Sequence, residues 1–488
     1  MNISMIRYIL GNILKLQSLF LLLPSLTDLF YKEGVLLPYI TVAISCFILG
    51  QIMAWKKPKD PVFYLKEGCV ATALSWIVLS ISGAFPFILT GEIPHFMDAL
   101  FETVSGFTTT GSSILSDVES LSHSSLLWRS FSHWIGGMGV LVFLLAIIPM
   151  SGGSNINLMK AESPGPSVGK LVPKIRSTAR ILYLIYIGMS IILFILLLFG
   201  KMSAFEALAT TFGTAGTGGF GFRNDSFASF SPYIQWITGI FMMLFGINFN
   251  AYYLMVFFDI KKAFKIEEVR WYFTIILLSV FVIFMDLIQF YSSFSDALRD
   301  AFFQVSSIIT TTGFATADFN QWSATSKSVL VLIMFIGACA GSTGGGLKIS
   351  RLIILIKTIF KELTSYTHPK SIVKIKMDDK PIEHEVVRSA NVYFITYMII
   401  FVVSVFCLTF ENKDLVTVFT AVAATFNNIG PGLEMVGPTA NFGHFTDFSK
   451  LVMIFDMLAG RLELFPLLML FHPELWKDTF QRKNKSGK

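Results

Sequence analysis

The stretch SSIITTTGFATADF, Ser306–Phe319, decides how the rest of this sequence is interpreted. It joins a short apolar segment to three consecutive threonines, a glycine and a polar turn. Taken alone, such a segment is typical of a turn that caps a helix. The composition around it is not that of a soluble protein, because 53% of the residues are hydrophobic and only 14% are charged, whereas soluble domains carry about a quarter charged residues.

Apolar runs of about 18 residues or more, the length that crosses a bilayer as a helix, recur along the whole chain. They predict an all-α polytopic membrane protein with ten or more spans, at Ile9–Phe30, Val35–Trp55, Gly68–Leu89, Leu126–Met150, Ile181–Phe199, Tyr233–Phe258, Tyr272–Tyr291, Val329–Phe360, Val392–Phe410 and Leu451–Phe471.

Lysine and arginine concentrate in five segments, which the positive-inside rule places in the cytoplasm. These segments are Lys56–Lys66, Lys160–Arg180, Lys261–Arg270, Lys357–Arg388 and Lys477–Lys488. Topology alone explains them, and docking of a cytosolic partner is the alternative for the last two.

Each interval between neighbouring basic segments holds two spans and, between the spans, a segment too short to cross. These segments predict re-entrant helices at Phe96–Phe107, Phe205–Phe212, Leu298–Ile309 and Leu415–Phe426. Each is followed by small residues and glycine, as TTTGSS (Thr108–Ser113), GTGGFG (Gly216–Gly221), TTTGFA (Thr310–Ala315) and NNIGPG (Asn427–Gly432). The threonine cluster of the opening stretch is thus one of four equivalent loops.

This repetition predicts four pseudo-symmetric helix–pore-loop–helix repeats around one pore, preceded by a two-helix module. The expected bounds are 1–57 for the N-terminal module, 58–158, 159–260 and 261–365 for repeats 1 to 3, and 366–488 for a cytoplasmic loop, repeat 4 and a basic tail. Non-helical backbone at membrane depth must be buried in protein or line a watery cavity. Four such loops around an axis can offer carbonyl oxygens to a cation, and glycine permits the backbone angles this requires.

The motifs TTTGF, GSTGGGLK and NNIGPG resemble those of the Trk/Ktr/HKT superfamily of potassium transporters. The resemblance covers essentially the whole chain. It implies a selectivity filter for transported K⁺, and also Rb⁺, built by Thr109, Thr110, Gly111, Thr217, Gly218, Gly219, Thr311, Thr312, Gly313, Asn428, Ile429 and Gly430.

The same resemblance implies a multi-pass protein of the bacterial cytoplasmic membrane that is not an enzyme and holds no covalently bound cofactor. Its expected partners are membrane lipid, a second copy of the chain in a homodimer, and a cytosolic TrkA-like regulatory ring that binds NAD- or ATP-type nucleotides. No nucleic acid partner is implied.

The run Val329–Phe360 is interrupted by GACAGSTGGGLK, which has five glycines in twelve residues and should break a helix. The break is either a packing kink or a movable plug, and the resemblance favours a gate loop at 337–348. The expected gate residues are Gly337, Gly341, Ser342, Thr343, Gly344, Gly345, Gly346, Lys348 and Arg461.

Arg461 lies at the centre of the last apolar run, where a charge needs water or a partner. An ion pair with Asp456 or Glu463 is one reading, and a positive charge that faces the pore and holds the gate loop is the other. For Lys348, snorkelling towards the cytoplasm is the alternative to a gate role.

Other polar residues in the spans are weaker signals. His133, Asn248 and Asn250 are predicted to pack helices together, and Glu102 and Gln304 could brace the filter.

Two other functions compete with a gated potassium pore. A proton- or sodium-coupled symporter predicts paired acidic residues inside the spans, whereas Asp286, Asp456 and Glu463 stand apart in the sequence. An intramembrane enzyme predicts a convergent catalytic constellation, which the sequence does not show.

Overall fold

The computed structural model describes residues 1–58, 64–139, 175–257, 259–371 and 373–475. The predicted boundary at 158/159, the second half of the run Leu126–Met150, most of the basic segment Lys160–Arg180 and the basic tail Lys477–Lys488 lie outside these residues.

The N-terminal module contains helices α1 (Ile3–Phe20), α2 (Leu22–Tyr31) and α3 (Leu36–Ala54). Helices α1 and α3 pack closely because Gly11 faces Gly50, and a Cβ on Gly11 would lie 2.8 Å from the carbonyl oxygen of Gly50. The turn between α2 and α3 is held by buried Asp28, whose carboxylate accepts backbone N–H groups of residues 33, 35 and 36 at 3.0–3.2 Å. Small residues and one capping carboxylate therefore fix this module.

Each repeat begins with a long apolar helix followed by a short buried one. The long helices are α4 (Leu65–Thr90), α7 (Ile175–Phe199), α12 (Glu267–Leu287) and α16 (His384–Leu408). The short helices, numbered 1 to 4 by repeat, are α5 (Phe96–Phe107), α8 (Ala204–Ala215), α13 (Phe294–Ile309) and α17 (Leu415–Phe426). The glycine loop that follows each short helix takes the same number.

A second helix returns from each glycine loop, at α6 (His123–Gly137), α9 (Pro232–Phe245), α14 (Ala324–Ile336) and α18 (Asp447–Arg461). All four start in the same way, because a hydroxyl residue accepts a hydrogen bond from the backbone N–H three positions later. The capping residues are Ser122, Ser231, Ser323 and Thr446.

These second helices stop part-way along their apolar runs. The run of repeat 2 bends by 94° between α9 and α10 (Phe249–Phe257), and that of repeat 3 resumes only at α15 (Ile349–Thr367). The run of repeat 4 breaks before α19 (Phe465–Met469), where Glu463 and Leu464 have positive φ. The break in repeat 3 was predicted, but the prediction of continuous spans in repeats 2 and 4 is wrong. Among the described residues, six helices, or seven with the bent pair of repeat 2, are long and apolar enough to span a membrane.

The part after repeat 3 departs slightly from an all-helical fold. A two-stranded antiparallel hairpin, β1 (Lys376–Met377) and β2 (Lys380–Pro381), follows α15. It is attached to the helices, because Lys357 of α15 donates to the carbonyl of Lys376 at 2.7 Å and pairs with Glu267 at 2.6 Å. The small helix α11 (Ile260–Phe264) precedes α12, and a 3-10 turn at Phe319–Gln321 precedes α14.

Candidate functional site

The four glycine loops have the same backbone conformation. The residue two positions before each glycine has a left-handed φ of 52–59°, at Thr109, Thr217, Thr311 and Asn428. The glycines themselves have φ of 82–103°, at Gly111, Gly219, Gly313 and Gly430. A non-glycine residue in this region costs about 1–3 kcal/mol, and such strain clusters at ligand sites. Loops 2 and 4 thus adopt the same strained conformation as loops 1 and 3, although their sequences differ from TTTG.

The loops meet in a closed ring. A Cβ on the glycine of each loop would run into a carbonyl oxygen of the next loop, that of the residue just before its glycine. The pairs are Gly111 with Gly218, Gly219 with Thr312, Gly313 with Ile429, and Gly430 with Thr110. The last pair, at 3.0 Å, returns to the first loop. The structure therefore brings the predicted glycines and the carbonyls before them together around one axis.

The threonine cluster of the opening stretch braces its loop. The hydroxyls of Thr310 and Thr312 lie 2.8 Å apart, and Thr310 also donates to the carbonyl of Ser306 at 2.6 Å. Thr108 and Thr110 repeat this 2.8 Å contact in loop 1. In loop 4 the Asn427 amide makes the equivalent bond, to the carbonyl of Ala423 at 2.9 Å, and the Asn428 amide reaches across to the Thr110 hydroxyl of loop 1 at 2.9 Å.

An outer cavity of about 170 Å³ opens above the ring, lined by the four glycines and by residues of the turns that follow them. The C-terminal ends of the short helices adjoin the ring, since each loop begins where its short helix ends. Helix C-termini carry partial negative charge, which favours a cation in front of them. Backbone carbonyls and helix ends together make the ring suited to a cation.

The predicted gate loop lies against the ring on the side opposite the outer cavity. The N–H of Gly345 donates to the Thr311 hydroxyl at 2.6 Å. A Cβ on Gly344 would lie 2.9 Å from the carbonyl oxygen of Thr310, and a Cβ on Gly345 would lie 2.5 Å from that of Asn427. Glycine is therefore needed here because the gate loop touches loops 3 and 4 with its backbone.

The gate loop also contacts the break in repeat 2. The Cys339 N–H donates to the carbonyl of Gly246 at 3.1 Å, and the Thr343 hydroxyl donates to that of Phe245 at 3.2 Å. The Phe249 N–H donates in turn to the carbonyl of Gly341 at 3.0 Å. A broken helix leaves backbone groups without intrahelical partners, and the gate loop satisfies several of them.

Three of the predicted gate glycines adopt backbone angles that other residues disfavour. Gly337, Gly341 and Gly346 have φ of 70–76°. The predicted gate residue Ser342 bonds within the loop, since its hydroxyl donates to the carbonyl of Cys339 at 2.6 Å.

Lys348 is 2% exposed, has a φ of 77° and donates from Nζ to the carbonyl of Gly344. Because its side chain folds back over the loop, the snorkelling alternative is wrong.

Arg461 joins the gate loop to repeat 1. Its guanidinium donates to the carbonyl of Thr343 at 2.8 Å and to those of Gly136 and Gly137 at 2.5 and 2.7 Å. The last two are the final residues of α6, so Arg461 bonds to the C-terminal end of this helix.

The two acids considered as partners of Arg461 are engaged elsewhere. Glu463 pairs with Arg351, and Asp456 accepts a hydrogen bond from Ser404 at 2.7 Å.

Glu268 is a contact residue that the sequence did not reveal. It is 3% exposed, and its carboxylate accepts the N–H of Ala340 at 2.7 Å and that of Ser350 at 3.1 Å. It therefore holds both flanks of the gate loop. Asn248, predicted to link helices, donates to the same carboxylate at 3.4 Å. An acid beside Glu267 at a helix start looks like an ordinary solvated charge, and no sequence signal distinguished it.

A buried cluster of polar side chains lies behind the ring, and the sequence predicted only part of its contacts. His133 accepts the N–H of Phe220 at 3.1 Å through Nε2, and its Nδ1 lies 2.8 Å from the carbonyl oxygen of Gly106, so it joins loop 2 to short helix 1. Arg129, one turn earlier on α6, is a buried charge that the sequence analysis does not single out, although a charge inside an apolar run is a usable signal.

Glu102 and Gln304 are the two residues expected to brace the filter. Glu102 is hydrogen-bonded to loop 1, whereas the buried Gln304 amide has no hydrogen-bond partner among the described residues.

A multi-pass helical protein whose four re-entrant loops close one ring belongs to the class of membrane transport proteins rather than enzymes. The chain is a member of the TrkH family: the family model described as "Cation transport protein" matches residues 39–483. The family resemblance predicted from the motifs is confirmed.

Full-length relatives support this assignment. The chain is 34% identical to the Trk system potassium uptake protein TrkH of Escherichia coli (strain K12), over 98% of this chain and 100% of that protein. It is 33% identical to the Trk system potassium uptake protein TrkG of the same organism, over 98% and 99% of the two chains. The crystal structure of the potassium transporter TrkH from Vibrio parahaemolyticus is similar with a TM-score of 0.88 and 33% identity, covering 98% of this chain and 100% of that one.

Proposed function

We propose that this protein takes up potassium across the cytoplasmic membrane through the ring of four glycine loops, which acts as its selectivity filter. The observation that carries the proposal is the closure of the ring, in which the carbonyls of Thr110, Gly218, Thr312 and Ile429 each lie against the glycine of a neighbouring loop. The names of the full-length relatives, which are potassium uptake proteins, support the choice of ion.

The filter works by replacing the hydration shell of the ion. Carbonyl oxygens held at fixed spacing substitute for water around K⁺, and Rb⁺ resembles K⁺ closely enough to follow. The short helices add negative potential from their C-termini. Binding at such sites must stay weak for the ion to leave again, and the ring supplies neutral carbonyls instead of carboxylates.

The gate is the loop 337–348 together with Arg461. In this arrangement the loop lies directly against loops 3 and 4, and Arg461 fastens it to repeat 1. The positive charge of Arg461 opposes the approach of a cation, because a charge in a low-dielectric channel is poorly screened. Uptake therefore requires the loop and the guanidinium to move away from the path.

We also propose that a cytosolic nucleotide-binding subunit controls the gate, and that the chain assembles as a homodimer. The hairpin β1–β2 lies in the basic segment Lys357–Arg388 and is bonded to α15 through Lys357. Helix α15 starts at the end of the gate loop. A regulator docked on this segment thus has a short mechanical route to the gate.

The test is cation flux into proteoliposomes that hold the purified chain, with K⁺, Rb⁺, Na⁺ and Li⁺ compared for the wild type and for Gly313→Ser. Serine at 313 must adopt a φ of 87° and overlap the carbonyl of Ile429, so we expect K⁺-over-Na⁺ selectivity to fall at least about tenfold, as for the loss of positioning around a bound ion. Gly34→Ser is the matched control, because Gly34 has a φ of 84° but no atom within 4 Å of a Cβ.

Selective flux in the wild type and the control, lost only in Gly313→Ser, supports the filter. Equal selectivity in all three proteins would refute it. A further arm imposes a pH or sodium gradient without a potassium gradient: accumulation of K⁺ driven by that gradient alone would favour the coupled symporter.

A further inference from the structure

A buried ion pair ties glycine loops 1 and 2 together on their outer side. Glu102 of short helix 1 and Arg129 of α6 are 1% and 2% exposed, and Nε of Arg129 lies 2.8 Å from Oε1 of Glu102. An isolated charge in such a place is costly, whereas a charge with a partner and further hydrogen bonds is tolerated. The pair has these further bonds, and all of them lead to the two loops.

Glu102 bonds to loop 1 at the point where the chain leaves the ring towards the outer cavity. Its carboxylate accepts the hydroxyl of Ser113 at 3.0 Å and the N–H of Ile114 at 3.0 Å. Ser113 stands two residues after the ring glycine Gly111. The carboxylate therefore fixes the backbone just where it leaves the ring.

Arg129 extends the same connection to loop 2. Its guanidinium donates to the carbonyl of Gly221 at 3.0 Å and to the Ser113 hydroxyl at 3.3 Å, and it lies 4.1 Å from the centre of the Phe220 ring. Gly221 is two residues after the ring glycine Gly219. One rigid guanidinium group thus bonds to both loops at the points where they leave the ring.

The other junctions around the ring are made differently. Loop 3 is held to the turn after loop 2 by neutral hydrogen bonds, such as that from the Ala315 N–H to the Ser226 hydroxyl at 3.1 Å. In repeat 3 the residue equivalent to Glu102, nine positions before the ring glycine, is the neutral Gln304. Among the described residues the ion pair Lys450–Asp98 also joins repeat 4 to short helix 1, but it bonds to no glycine loop. The Glu102–Arg129 clamp is therefore the described ion pair that bonds to two loops.

We propose that Glu102 and Arg129 are positioning residues that determine the cation selectivity of the ring by fixing the spacing of loops 1 and 2; this rests on the proposed role of the ring as the filter. The carbonyl of Gly218, which faces Gly111, lies three residues before the clamped Gly221. A flexible junction would let these carbonyls adjust to a smaller ion, and the ring would then discriminate less against Na⁺. The carboxylate also balances the positive guanidinium, which lines the outer cavity on the approach of the cation.

The experiment measures rubidium-tracer uptake, its inhibition by Na⁺ and the KM for K⁺ with the full-length chain in proteoliposomes. The variants are Glu102→Gln, which leaves the guanidinium unbalanced, and Arg129→Lys, which keeps the charge but loses the fork. We expect selectivity for K⁺ over Na⁺ to fall about 10- to 100-fold, as for groups that orient metal ligands. Ser113→Ala removes a shared partner without leaving a charge unpaired, and we expect a smaller change in the same direction.

The control is Asp296→Asn. Asp296 of short helix 3 is 45% exposed and pairs with Arg299 at 2.7 Å, and neither residue is among those that line the outer cavity. We expect wild-type selectivity from this variant, because exposed pairs contribute little.

The outcomes separate the clamp from the filter itself. Without selective flux in the wild type, the proposed function fails. Selective wild-type flux with unchanged selectivity in the folded variants overturns the clamp, even when the variants are less stable. If Glu102→Gln and Arg129→Lys do not fold, Ser113→Ala decides by the same criterion.

Discussion

Replacing Arg461 with alanine should open the pathway without the regulator. Arg461 is the group that joins the gate loop, through Thr343, to Gly136 and Gly137 at the end of α6. Alanine removes these hydrogen bonds and also the positive charge that opposes a cation. The two effects act in the same direction, so uptake by the protein alone should rise.

The hydrogen bond between Arg461 and the gate loop sets the size of the expected increase in flux. A hydrogen bond to a charged group contributes about 1.5–3 kcal/mol, and the bond to Thr343, at 2.8 Å, joins Arg461 to the gate loop. Since about 1.4 kcal/mol is a factor of ten in an equilibrium constant, its loss shifts the balance between closed and open loops by about ten- to a hundredfold. The unregulated flux should increase by at least about tenfold.

The assay is tracer uptake into proteoliposomes without any cytosolic partner, normalised to folded, inserted protein. Arg461→Lys separates the two effects, because lysine keeps the charge but does not reproduce the fork; we expect an intermediate flux. Arg270→Ala is the control, since Arg270 is exposed near the start of α12. Wild-type flux from a folded Arg461→Ala protein would refute the role of this residue as the fastener of the gate.

Two further substitutions test contacts that the tertiary structure revealed. Glu268→Gln weakens the hold on both flanks of the gate loop, at Ala340 and Ser350; unregulated uptake should rise up to about tenfold, and an unchanged rate would show that the carboxylate does not restrain the loop. Asp28→Asn removes charge from the cap between α2 and α3 and should lower the stability by about 1–3 kcal/mol, seen as a lower melting temperature in detergent. Here the rate and selectivity per folded molecule should stay at wild-type values, and altered selectivity would contradict a purely structural role.

Much of the architecture follows from local features of the sequence. Long apolar runs, short ones followed by glycine, and clusters of basic residues each depend on a few neighbouring residues, and hydropathy detects them. That is why the four short helices and their loops were located, with Gly313 and its three equivalents at the turning points. The glycine break at 337–348 was also predictable, because five glycines in twelve residues disfavour a helix regardless of its surroundings.

Hydropathy could not show where the second helices end. The runs of repeats 2 and 4 are apolar throughout, yet they break near Gly246 and Glu463. A backbone group freed inside the membrane needs a partner, and the partners come from distant parts of the chain, as when the Cys339 N–H bonds to Gly246. No local pattern encodes such a contact.

The sequence by itself determined that this chain crosses the membrane many times and carries four equivalent glycine loops, because segment length, hydrophobicity and backbone freedom are properties of neighbouring residues. The tertiary structure alone decided which carbonyl faces which glycine, and that Arg461 bonds to carbonyls while Glu463 pairs with Arg351. It also brought Glu102 and Arg129 together between two loops. These contacts depend on how the repeats close around a common axis: Ser112 donates to the carbonyl of Gly430 across 318 positions of the chain, and only the closed ring makes these two residues neighbours.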